Sequence, residues 1–185
     1  MPVVVSLLRG VNLARHNRMK MDVLLRLCES LGFLDAKTYV QSGNVVFRTR
    51  ERDGAKVSKR LEEGIERTFG FRSTVICRTA DELEQVVRRN PFASRPEVTG
   101  GRLIVAFLAG QPTAEAAKKL TAIKTDPEEM ALSGRELYIH FPNGMGRSKL
   151  SIPRIEKALD TASTARNWNS VTKLLAMAQE LESVK

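Results

Sequence analysis

Apolar and polar positions recur along this chain with two periods, and the switches between them mark out its elements. Residues 3–10, VVVSLLRG, are a short β-rich run, and residues 21–33, MDVLLRLCESLGF, place Met21, Leu24, Cys28 and Leu31 on one helical face. Gly32 is a good helix stop, after which TYVQSGNVVF at 38–47 predicts two strands turning on Ser42-Gly43 or Gly43-Asn44, where glycine supplies a positive φ. Residues 55–69 carry Val57, Leu61, Ile65 and Phe69 at four-residue spacing, and STVIC at 73–77 follows as a strand. The order is βαββαβ, the ferredoxin-like unit.

The pattern then starts again. Thr79 with Glu82 is a capping box opening a helix through Leu83, Val86 and Val87, which NPF at 90–92 ends. RLIVAFLAG at 102–110 has the form of VVVSLLRG, and Thr113 caps a helix through Ala116, Leu120 and Ile123. EMALSGRELYIHF at 129–141 is again a hairpin on Ser-Gly. The chain therefore reads as α+β: two fused ferredoxin-like halves of βαββα type, with antiparallel sheets and a C-terminal helical tail. The expected divisions are 1–78, 79–150 and 151–185. The tail is read as a helix from about Ser151 to Leu159, a short link, and a helix from about Arg166 to Leu181 with Trp168, Val171, Leu175 and Ala178 facing inward.

Composition sharpens this picture at two points. With 42% apolar and 28% charged residues over 185 positions, the chain suits one ordinary domain or two small fused ones. PVVVSLL is too short for a secretory segment and no run reaches membrane-spanning length, so the expectation is a cytoplasmic protein without a membrane partner. Cys28 and Cys77 sit in separate apolar patterns and read as two buried thiols. The second point is a net charge of +9, which attracts polyanions. It is unevenly spread. Residues 1–26 hold Arg9, Arg15, Arg18, Lys20 and Arg26 against Asp22, and residues 143–173 hold Arg147, Lys149, Arg154, Lys157, Arg166 and Lys173 against Glu156 and Asp160. Each stretch is +4.

NGMGRSKL at 143–150 carries candidate chemistry. Its glycines are too close for a Walker A loop and Ser148 precedes Lys149, while G-x-G-x-x-G lacks its third glycine. Generic anion chemistry survives: Gly146 admits a close ligand, Arg147 can fork two hydrogen bonds to phosphate, Ser148 and Lys149 add donors, and a helix starts at Ser151. A plain turn with solvated cations explains the same string. TARNWNSVTK at 164–173 repeats the arrangement, with Thr164 or Asn167 as N-cap and Arg166, Asn167 and Asn169 about the first turn. Trp168 can stack on a base or pack in the core. Secondary candidates are Arg9 and Asn12 in the loop after the first strand, which a mobile basic loop explains equally well, Gln41 and Asn44 at the first hairpin, read as exposed polar residues whose main role is to satisfy the turn, and His140, read as lying on the face of its strand opposite the core-facing set. No His or Cys cluster has metal-ligand spacing and no catalytic triad is visible. Neither a cofactor nor a catalytic residue is assigned.

The strings LLRGVN, YVQSGNVVF, HFPNGMGRSKL and TARNWNSVTKLL, in this order from Pro2 to about Leu181, resemble the bacterial family of domain of unknown function 1697. The resemblance falls on Arg9, Gly10 and Asn12, on Gln41, Ser42, Gly43 and Asn44, on Gly146 to Lys149, and on Arg166 to Asn169. It implies ferredoxin-like halves with a helical tail and brings no activity with it. Leu13-Ala14-Arg15-His16 departs from the small or Gly-rich residues expected after Gly-Val-Asn. From the residues, the leading expectation is a binding module for a polyanion, RNA or single-stranded DNA, on a basic surface that an open sheet can present. The alternative is an enzyme or sensor for a small phosphorylated ligand at the Gly-rich loop and helix N-termini.

Overall fold

The computed structural model describes residues 1–13 and 16–184; Arg15, counted above in the first basic stretch, and Ala14 of the Leu13–His16 string lie outside them. The chain divides into two compact units, Met1–Gln85 with Lys173–Lys185, and Val86–Thr172.

The first half runs β1 (Val3–Leu8), α1 (Met21–Ser30), β2 (Leu34–Thr38), β3 (Asn44–Arg48), α2 (Gly54–Phe69) and β4 (Val75–Thr79), with antiparallel sheet order β2-β3-β1-β4. On one sheet face Val4, Leu8, Val45, Phe47, Val75 and Cys77 pack with Leu24 and Cys28 of α1 and Val57, Leu61 and Ile65 of α2. Phe33 stacks on Phe47 with ring centroids 4.3 Å apart. Each such fully buried aliphatic or aromatic side chain contributes roughly 1.5–3 kcal/mol. Asp53 caps α2, accepting from the Ala55 and Lys56 N–H groups, and Gly70 ends it in the left-handed region. Both cysteines are free and buried, as expected, and burial pushes the Cys28 thiol up to about 12.

A capping box then opens α3 (Ala80–Arg88): the Thr79 hydroxyl accepts from Glu82 N–H at 3.1 Å, and the Glu82 carboxylate accepts from Thr79 N–H at 2.8 Å. The second half repeats the order as β5 (Leu103–Leu108), α4 (Ala114–Thr121), β6 (Glu129–Ser133), β7 (Glu136–His140), α5 (Ile152–Leu159) and β8 (Ser163–Asn167). Helix α6 (Trp168–Ser183) follows, and the sheet order is β6-β7-β5-β8. Ile104, Ala106, Leu108, Leu137 and Ile139 form a core with Leu120 of α4 and Ile155 and Leu159 of α5. The architecture is thus α+β with two similar halves, each a complete βαββαβ unit.

Two local readings from the sequence are corrected. Residues 163–167, which the sequence reads as a link and a helix start, are a strand in which all five residues pair with β5, from Leu108↔Ser163 to Ile104↔Asn167. Ser-Thr-Ala-Arg-Asn has no apolar alternation, so only the neighbouring strand makes it β. The first strand of the 38–47 hairpin lies earlier, at Leu34–Thr38, where a register shift between Leu34 and Lys37 interrupts its ladder. With β8 in place the duplication extends further than the hairpins. Arg78-Thr79 before α3 matches Arg166-Asn167 before α6, each a buried arginine followed by a helix cap.

Both faces of both sheets are closed. Opposite the helix-covered faces, Val5, Leu7, Val46 and Arg78 in the first half and Val105, Phe107, Tyr138, His140 and Arg166 in the second are buried. No open β platform is offered by either sheet among the described residues.

Candidate functional site

The Gly-rich segment begins where β7 ends. Phe141 N–H donates to the Arg102 carbonyl, holding the strand's exit beside β5, and Gly144 N–H donates back to Phe141. Gly144 sits at φ 83°, ψ 146°, a conformation open to glycine, and a single 3-10 turn at Met145–Arg147 follows. The Ser148 hydroxyl accepts from Leu150 N–H at 2.9 Å, a local turn that delivers the chain to α5. Helix α5 carries Pro153 in its first turn, where its missing N–H costs nothing, and Ser151 at the cap position makes no side-chain hydrogen bond.

Ile155 and Leu159 turn α5 inward, which leaves Arg154 and Lys157, three residues apart, on its outer side. Both side chains lie away from the core, and Arg147 and Lys149 stand ahead of the helix. Among the described residues none of these four cations has a carboxylate partner. The acid of the same helix is otherwise engaged: Glu156 Oε1 accepts from Ser163 N–H at 2.7 Å and from the Ser163 hydroxyl at 2.8 Å. Lys118 on the neighbouring α4 is also exposed, while Lys119 pairs with Glu115 at 2.9 Å. Gly146 has nothing within 4 Å of where a Cβ would stand. Arg154 and Lys157 lie outside the site residues that the sequence predicts, although their spacing opposite Ile155 and Leu159 in IPRIEKAL carries the signal.

Arg166 lies elsewhere. It pairs with Val105 in the register, so its side chain leaves the sheet on the face opposite α5, where it is 8% exposed. Its Nη1 donates to the Thr164 hydroxyl at 2.9 Å and the Ala165 carbonyl at 2.8 Å. Burial pulls its pKa down to about 10, which leaves it a cation at neutral pH. Asn167 is exposed, but its Oδ1 accepts from Ser170 N–H at 2.8 Å, making it the cap of α6. Asn169 is pressed on Gly100, where a Cβ would stand 2.0 Å from Oδ1, and Trp168 N–H donates to the Gly100 carbonyl. The second helix start is thus capped and covered from its own unit, and its arginine does not join the 147–157 cations on one surface.

His140 is 4% exposed. Its Nδ1–H donates to Glu129 Oε1 at 3.3 Å, its ring leans on Phe92 at 6.0 Å, and its Nε2 is buried without a partner among the described residues. Arg95 donates to the other Glu129 oxygen at 2.7 Å, and these two partners, Arg95 first, hold the Glu129 carboxyl below the usual range. The secondary candidates of the first half are structural in their visible contacts. Asn12 Nδ2 donates to the carbonyls of Met19 and Gln41, and its Oδ1 accepts from Met19 N–H. Asn44, expected to be exposed, is fully buried because its amide donates to the Tyr39 carbonyl and the Ser42 hydroxyl, closing the hairpin from within. Gln41 is exposed. Arg9 is half-buried, with its carbonyl accepting from the Ser73 hydroxyl. No helix is long and apolar enough to cross a membrane, and no group of three metal-ligating side chains occurs among the described residues.

The profile of the family described as "Protein of unknown function (DUF1697)" matches residues 1–138. The chain belongs to that family. A solved structure described as that of a conserved bacterial protein, SP0830, from Streptococcus pneumoniae, is similar with a TM-score of 0.73 at 19% identity, covering 97% of this chain and 99% of that one. Likeness at that identity speaks for the fold alone. Comparison with curated proteins finds no match. In this DUF1697 chain the RGVN and QSGN strings meet: Asn12 bonds Gln41, and Gly43 lies directly against Val11 and Leu8.

Proposed function

We propose that the chain is a binding module for a polyanion, RNA or single-stranded DNA, engaged on the helical side of the second half. One observation carries the reading: Arg147, Lys149, Arg154 and Lys157 gather within a short segment outside the core and have no carboxylate partner among the described residues. Phosphate contacts by such cations release counterions, so binding is steep in salt and tolerant of sequence. With closed sheets and 5% aromatic residues, stacking contributes little and the backbone dominates. Four phosphate contacts predict a log–log salt slope of roughly −3, so that affinity for a labelled single strand falls ~50-fold between about 50 and 200 mM salt. Fluorescence anisotropy measures this directly, and a flat salt response rejects the reading.

The start of α5 supports a second, smaller-ligand reading. Its cap position lacks a side-chain hydrogen bond, which leaves first-turn N–H groups free of a side-chain cap just beyond Arg147 and Lys149. On this reading inorganic phosphate or a nucleotide raises the melting temperature, and Arg147→Ala removes the rise. A shift retained in that variant places any small-anion site elsewhere.

A further inference from the structure

We propose that β6 is a pairing edge for a second copy of this chain, joined antiparallel about Ala131. The two halves treat equivalent edge strands differently. In the first half β2 is broken by its register shift and by Asp35 at φ 54°, a bent edge that resists pairing. In the second half β6 runs in unbroken register with β7, from Glu129↔His140 to Ser133↔Glu136. Met130, Ala131, Leu132 and Ser133 are half-buried, whereas β8 at the other edge is mostly buried.

Hairpin geometry says which backbone groups are free. Gly134 and Arg135 form a two-residue turn, so the flanking Ser133 and Glu136 are its hydrogen-bonded pair. By alternation Ala131 and Glu129 also address β7, and Met130 and Leu132 direct their N–H and C=O outward. Among the described residues nothing beyond β7 bonds those outward groups.

One register satisfies all of them. With Ala131 on the two-fold axis, Met130 faces Leu132 of the second copy and each exchanges both backbone bonds. On that face Met130 and Leu132 already pack against the second half's core, so pairing joins two apolar layers. On the other face Glu129 meets Ser133, and no like charges are opposed. The axis of an antiparallel pair stands perpendicular to the sheet, so the α4 and α5 layers of both copies lie on the same side. The pairing stands independently of the nucleic-acid reading.

Sedimentation equilibrium tests it. The mass is expected to rise with concentration from 20.6 kDa towards twice that value. Leu132→Pro removes an outward N–H without breaking a β6–β7 bond, and is expected to give a monomer with unchanged circular dichroism. Ser133→Glu sets carboxylates against Glu129 of the partner copy twice per dimer and weakens it roughly two- to thirtyfold, while Ser133→Lys strengthens it by a similar factor. The opposite signs of the Ser133 pair decide the matter even if the proline variant unfolds. A 20.6 kDa species at every concentration, or a dimer indifferent to both Ser133 substitutions, overturns the proposal.

Discussion

Gly43→Ala is expected to destabilise the protein by about 2–5 kcal/mol, enough to consume much of an ordinary folding free energy. Two costs add. Gly43 sits at φ 77°, where a side chain meets its own carbonyl, and a Cβ there would lie 2.4 Å from Val11 Cγ2 and 2.8 Å from Leu8 Cβ. Leu8 and Val11 are 0% and 3% exposed, so neither can retreat without opening the core of the first half. The backbone is engaged as well, since the Gly43 carbonyl accepts from Leu8 N–H at 2.8 Å. Gly100→Ala is the matched control. The three atoms nearest its Cβ would all belong to the amide end of Asn169, an exposed side chain that can rotate away, so the cost is expected to stay below about 1 kcal/mol. Urea unfolding of the two variants separates a locked turn from a crowded but yielding one. Equal midpoints for Gly43→Ala and the parent chain would show that the RGVN loop and the QSGN hairpin do not depend on each other.

The second large effect concerns binding. Reversing Arg154 and Lys157 together to Glu is expected to lower single-strand affinity by roughly 100-fold at low salt, and to flatten the log–log salt slope by about 1.4, the share of two phosphates on a single strand. Neither side chain supports the fold, because both stand on the outer side of α5 away from Ile155 and Leu159. The control is a reversal of Lys56 and Lys59, exposed on α2 of the first half, which changes net charge equally. If the two double variants lose affinity alike, the +9 field as a whole attracts the polyanion and no local surface does. A loss confined to the α5 pair assigns the contact.

Much of the fold was legible because it rests on short-range signals. The four-residue stripe Val57, Leu61, Ile65 marks α2, and all three side chains are fully buried. The Thr79–Glu82 box and the Thr113 cap, whose hydroxyl accepts from Ala116 N–H, sit where the residue types place them. Of the site, the basic character of 147–157 was legible, since charge needs no partner to be read. That Arg166 turns away from the 147–157 cations was not, because it depends on the pairing with β5 of Ser163–Asn167, a stretch with no periodic signal of its own.

The chain's own sequence therefore determined the order of elements, the duplication, the apolar stripes and the caps, all of which are set by residues within a few positions of one another. The tertiary structure decided what depends on distant neighbours. Pairing with β5, far back along the chain, made Ser163–Asn167 a strand, and the parity of that pairing turned Arg166 inward instead of towards the Gly-rich segment 143–150. Asn44 became a buried strut because the hairpin folds over its amide. β6 was left as an unblunted edge while β2 was bent, a difference set by one bulge and not by composition. Strand identity and side-chain direction in a sheet are properties of the pair, and a single segment does not contain its partner.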